Sequence, residues 1–139
     1  MRVALDSNVL ISALIFGGSP RRLIFDLISL QRMGKIRIIL CLEVMEEVEE
    51  VVRRKFPHKV EELRMFWDLL DPEVVRADYD SGIHIEIRDK KDEIIVRCAA
   101  SYSDFLITGD KDILDCEHNT NLKIMTVSEF IDFLGIFFL

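Results

Sequence analysis

The chain reads as an α/β protein, a three-layer α/β/α sandwich on a mainly parallel central sheet. Three observations predict this. Short apolar runs alternate with segments of helical periodicity along the whole sequence. The clearest runs, Val3-Ala4-Leu5 and Ile36 to Leu40 (apolar but for Arg37), read as buried parallel strands covered on both faces. No repeat, low-complexity tract or linker divides the chain, so residues 1–139 read as one domain.

Each element has a local cause. Val3 to Leu5 forms the first strand, and Asp6-Ser7-Asn8 leads into a short helical stretch. Phe16-Gly17-Gly18 makes a turn, and Ser19-Pro20 reads as a helix start, a cap followed by proline. Leu23, Ile24, Leu27, Ile28 and Leu30 then recur at helical spacing until Gly34 closes the helix. Ile36 to Leu40 is the second strand. Leu42 to Lys55 is a helix with its stripe at Val44, Met45, Val48, Val51 and Val52, interrupted by Pro57. His58 to Leu70 repeats the pattern and ends at Asp71-Pro72. Residues 78–82 form a turn, and the alternation Ile83 to Arg88 predicts a short extended segment. Asp89-Lys90-Lys91-Asp92 opens a helix reaching about Tyr102. Asp104 to Asp110 is a strand ending in a turn, and Leu122 to Met125 is another short strand. Thr126-Val127-Ser128-Glu129 matches a capping box, opening a last helix that ends near Gly135.

A domain this long buries roughly 70% of its unfolded surface and needs neither disulfide nor structural metal to fold. Cys41, Cys98 and Cys116 are odd in number and widely spaced, which predicts buried free thiols. The first residues do not form a secretory leader, because Asp6 and Asn8 break the apolar start. Phe130 to Leu139 is too short to span a bilayer. The expectation is a cytoplasmic protein without a membrane partner. Its net charge of −7 excludes attachment to nucleic acid by overall field. A phosphate-bearing substrate has to be met by bound cations or by local basic clusters. Arg21, Arg22, Lys35 and Arg37, with Arg53, Arg54 and Lys55, are the candidates for the latter.

Acidic residues carry the functional signal by placement. Asp6 and Asp110 each follow a strand, and in a parallel sheet those ends share one edge. Asp6 alone reads equally well as a helix cap. On helix 42–55, at about 100° per residue, Glu46 and Glu50 point away from the stripe, Glu43 is only slightly better placed, and Glu47 and Glu49 tie at its borders. On the helix after Lys91, Asp92 borders the buried face and Glu93 faces away; a first-turn aspartate also suits a purely structural role. Clustered carboxylates repel one another, and a hard divalent cation such as Mg²⁺ or Mn²⁺ relieves that cost. Such an ion can activate water and neutralise charge on a phosphodiester.

Together these pieces resemble a PIN domain, and more narrowly the PIN proteins grouped with VapC-type toxins of toxin–antitoxin pairs. The matching residues are Leu5-Asp6-Ser7-Asn8-Val9-Leu10, Glu47 within Met45-Glu46-Glu47-Val48, Asp92 after Arg88-Asp89, Thr108-Gly109-Asp110-Lys111-Asp112, and Met125-Thr126-Val127-Ser128-Glu129-Phe130. The resemblance implies that Asp6, Glu47, Asp92 and Asp110 bind Mg²⁺ or Mn²⁺, which breaks the tie with Glu49. It further implies that Asp112 is an accessory acid, that Asn8 and Thr108 support the cluster by hydrogen bonds, and that the activity is metal-dependent cleavage of RNA. A cognate antitoxin and a homodimer are the implied partners. Ser7 replaces the family's frequent Thr, and Lys90-Lys91 replaces a usually more acidic loop.

Other readings fit less well. Asn8 stands where a haloacid-dehalogenase-type phosphatase wants a second acid, and no phosphate-cradling glycine loop follows a strand. Cys116-Glu117-His118 lacks a second ligand pair for zinc. The competing function is a non-catalytic module that keeps the acidic pocket and binds RNA or protein.

Overall fold

The structure, a computed structural model, describes residues 1–77 and 82–138. In chain order the elements are β1 (Arg2–Leu5), α1 (Ser7–Ile15), α2 (Gly18–Arg32), β2 (Arg37–Cys41), α3 (Leu42–Lys55), a 3-10 turn (Pro57–Lys59), α4 (Val60–Leu70), β3 (Glu73–Val75), β4 (Ile85–Glu86), α5 (Lys90–Tyr102), β5 (Phe105–Ile107), α6 (Lys111–Leu114), β6 (Glu117–His118), β7 (Lys123–Met125) and α7 (Val127–Phe137). Five strands make one parallel sheet in the order β3-β2-β1-β5-β7, flanked by helices. The predicted α/β class with a parallel central sheet is what forms. β4 and β6 pair separately as a small antiparallel ribbon, with Ile85 opposite His118.

The strand order explains why the apolar runs are continuous. β1 lies between β2 and β5, with Val3 beside both Ile38 and Phe105, and helices cover its faces. Val3, Ile38, Ile39, Leu40, Leu106 and Ile107 are wholly buried. Truncating one of these, for instance Ile39→Ala, removes about 2–5 kcal/mol of stability.

Several local expectations shift. Helix α2 begins at Gly18, capped by Gly17, so Pro20 sits inside the first turn. Gly17 and Gly18 have φ of 77° and 64°, which reverses the chain after α1. Arg21 then folds back to donate to the carbonyls of Ala13 and Leu14 at 2.8 and 3.0 Å, closing the open end of α1. A Cβ on Gly17 would lie 3.2 Å from that guanidinium. The edge strand β3 has no counterpart in the sequence reading, being three residues after Asp71-Pro72. Helix α7 has the predicted capping box on Thr126 and Glu129 but runs past Gly135 to Phe137. The rings of Phe130, Phe133 and Phe137 stack in sequence along it. Gly135 faces open space. The turn expected at 78–82 lies, apart from Gly82, outside the described residues.

The expectation of three free thiols is corrected. Cys41, the last residue of β2, is joined to Cys98 of α5 across a separation of 57 residues, with the two Cα atoms 6.2 Å apart. Sequence spacing carries no signal for a pairing that the crossover from β2 to α5 brings about. Cys116 alone is free. No helix among the described residues is long and apolar enough to cross a membrane.

Candidate metal centre

The carboxyl ends of β1 and β5 lie side by side, with Leu5 opposite Ile107. The residues that follow each strand therefore meet. Asp6 is buried, 3% exposed, and caps α1 through the Ser7 amide at 2.7 Å. Capping and a functional position are thus not alternatives for Asp6. Its second oxygen accepts the Thr108 hydroxyl at 2.7 Å and the Asn8 amide at 3.4 Å. The same Thr108 oxygen accepts the Asp110 backbone N–H at 3.0 Å, so one buried hydroxyl couples the two aspartates. Asn8 also accepts the Gly109 N–H at 3.2 Å, which fixes the turn after β5. Asp110 in turn caps α6, accepting the amide of Asp112 at 2.8 Å.

Helix α5 brings the third contribution. Asp89, and not Asp92, caps it, accepting the Lys91 amide at 2.8 Å. Asp92 is thereby freed from capping and stands in the first turn, facing α6. One carboxylate oxygen from each of Asp92, Asp110 and Asp112 lies within 4.8 Å of the others. Asp112, expected as an accessory, belongs to this close trio. Asp6 is outside it but near enough to act on Asp92 through charge, and Glu47 acts in turn on Asp6.

Electrostatics show the cost of the arrangement. The Asp92 carboxyl is pushed up to about 6, first by burial and then by the charges of Asp110, Asp89, Asp6 and Asp112. Asp6 is also raised, mainly by burial, with Glu47 and Asp110 adding to it against the hydrogen bonds from Thr108 and Ser7. No salt bridge among the described residues reaches Asp6, Asp92, Asp110 or Asp112. The donors are all carboxylate oxygens, which suits a hard divalent cation bound with retained waters. The chain therefore fits such an ion on its own chemistry.

On α3, Glu47 is exposed along with Glu46 and Glu50, while Glu49 is only half-buried. Glu43 is more enclosed than the helical projection indicates, with one oxygen buried and unbonded. Glu43, Glu46, Glu47 and Glu50 line one hollow together with Lys91. Asp89 and Glu43 are the acids the sequence reading passed over. Asp89 sits three residues before Asp92, the ordinary spacing of a cap and its first turn.

The basic clusters are largely occupied elsewhere. Arg21 closes α1, Arg54 pairs with Glu50 at 3.0 Å, and Arg37 binds Gln31 and the Asp71 carbonyl.

Residues 2–112 match the PIN domain family. Among solved structures, the chain is similar to one from the crystal structure of VapBC2 from Rickettsia felis bound to a DNA fragment from their promoter. The TM-score is 0.67 at 17% identity, over 91% of this chain and 98% of that one. At that identity the likeness speaks for the fold. No curated protein matches the sequence.

Proposed function

The chain belongs to the PIN domain family, and from that premise we propose that it is a divalent-metal-dependent ribonuclease that hydrolyses RNA phosphodiester bonds. The observation that carries the proposal is the close approach of Asp92, Asp110 and Asp112, with no salt bridge to them among the described residues, beside the buried Asp6. In this reading Asp92, Asp110 and Asp112 hold Mg²⁺ or Mn²⁺ together with Asp6, and Glu47 contributes from α3. When bound, the ion would activate water and offset charge on the phosphodiester.

The remaining work falls to the chain's own groups. Thr108 holds Asp6 and the Asp110 backbone in a fixed relation, and Asn8 holds the Gly109 amide, so the ligands need little rearrangement. No histidine belongs to the acidic group, so proton transfer is assigned to water and carboxylates. The biological role that fits the resemblance is the toxin of a toxin–antitoxin pair. Phe25, Met65 and Leu69 are exposed and line an apolar groove between α2 and α4. We read that groove as the face for the antitoxin or a second copy of the chain.

The test is cleavage of RNA in Mg²⁺ or Mn²⁺ by the wild type and by Asp6→Asn and Asp92→Asn. Loss of cleavage in folded variants is expected. Equal cleavage by all three would remove the carboxylates from the reaction. A non-catalytic module would instead bind RNA or protein and cut nothing with either ion.

A further inference from the structure

Two hollows flank the acidic centre, and they differ in charge. The one between α3 and α5 presents Glu43, Glu46, Glu47 and Glu50, with Lys91 beside them and Arg54 paired to Glu50. The other, about 350 Å³, lies between α1, the start of α2, the turn after β5 and the start of α7. Its walls are Asn8, Ser12 and Thr126 as polar groups and Val9, Pro20 and Val127 as apolar ones, with Gly109 between. Among the described residues, no ionisable side chain lines it.

The second hollow adjoins the centre through Asn8, which lines it and hydrogen-bonds Asp6. Asn8 donates to Asp6 on one side and accepts the Gly109 N–H on the other, so the same two residues border both spaces. A polynucleotide carries a charge on every phosphate and is repelled from the acidic side, where glutamates outnumber Lys91 and Arg54. An RNA strand whose phosphate reaches the acidic centre is thus free to extend over the uncharged side and hindered on the other. The volume suits one small ligand group at the lower end of the usual range of roughly 300–1,000 Å³. Pro20 and Val127 offer apolar surface to a base, and Ser12 and Asn8 offer hydrogen-bonding groups.

We infer that this hollow is the subsite for one nucleoside of a single-stranded RNA, on one side only of the phosphate at the acidic centre. Ser12 and Val127 are its positioning residues. The inference rests on the ribonuclease reading for the placement of the phosphate. A Cβ at Gly109 would lie in ordinary contact with the Asn8 side chain at 3.9 Å.

The experiment uses the full chain and two independent readouts. Cuts in a random-sequence RNA are mapped in Mn²⁺, and a preferred oligonucleotide is remade with an abasic residue on either side of the cut. Wild-type kcat/KM is expected to fall about tenfold or more for one abasic position and to stay within about twofold for the other. Ser12→Phe and Val127→Phe, which fill the hollow from opposite walls, are expected to raise KM about tenfold, with kcat nearly kept, and to erase the abasic difference. Fluorescence anisotropy of the intact oligonucleotide without metal reads binding by itself. Weaker binding by both variants with no cleavage by the wild type would keep the subsite and remove the nuclease. Cleavage by the wild type with equal rates on both abasic substrates would overturn the subsite and keep the nuclease.

Discussion

Both ends of the central sheet gather charged residues, but they treat charge in opposite ways. At the amino ends of the strands, opposite charges meet. Arg2 of β1 reaches Glu73 of β3 at 2.6 Å, and Arg37 of β2 approaches the same carboxylate at 3.9 Å. The Arg2 backbone N–H also donates to Asp104, just before β5, at 2.8 Å. That end is closed within the protein. At the carboxyl ends, like charges converge on Asp6, Asp92, Asp110 and Asp112, with no basic partner among the described residues. Side chains at a structural cluster satisfy one another, whereas a cluster awaiting a ligand leaves charge unmatched and raises its own pKa values.

The largest expected effect separates the two ends by activity. Asp92→Asn should lower metal-dependent RNA cleavage by about 10²-fold or more, while Glu73→Gln should leave the rate unchanged. Equal losses in steady-state assays would mean that both variants act through the fold, and the contrast would break.

The carboxylate edge also has a covalent tie that the opposite edge lacks. Cys41 and Cys98 fasten the end of β2 to α5, the helix that carries Asp92. Reduction by a dithiol should cost about 2–4 kcal/mol in denaturant unfolding. The unreduced denatured chain should titrate a single thiol, that of Cys116. Three reactive thiols would contradict the bridge.

Ligand and pH give the next contrast. Saturating Mn²⁺, at a hundredfold excess over its Kd, should stabilise the wild type by about 2.7 kcal/mol and Asp92→Asn by much less, read as a melting-temperature shift. Asp92 holds its proton more tightly in the folded protein, up to about 6 against an ordinary 3.8. Without metal, lowering the pH from 7 towards 5 should therefore raise the contribution of this edge to stability. With metal the same change should weaken binding, since protons compete for the ligand oxygens. The smallest effect belongs to the opposite end, where Glu73→Gln should cost at most about 1 kcal/mol, as for other half-exposed ion pairs.

Much of this contrast was legible in the sequence, and the reasons are local. Asp6 and Asp110 each follow an apolar run, and a parallel sheet places such ends together without further information. The capping box at Thr126 and the helix 42–55 are encoded by neighbours in the chain, and they form as read. Other relations between distant segments were not legible. Helical projection set Asp92 between a cap and a ligand, and only the contact of Asp89 with the Lys91 amide separates the roles. Asp112 joins the close trio because α6 is a single turn capped by Asp110, too short for periodicity to reveal. The Cys41–Cys98 pairing and the pairing of β3 with β2 depend on crossovers. Arg21, expected among surface basic residues, is committed to closing α1.

Calorimetric titration of Mn²⁺ at pH 7.5 and pH 5 into the wild type, Asp92→Asn and Asp110→Asn tests the central claim most directly. Saturable binding by the wild type, weaker at pH 5 and lost or greatly weakened in both variants, is the predicted result. No uptake by the wild type, or equal affinity in all three proteins, would contradict the account.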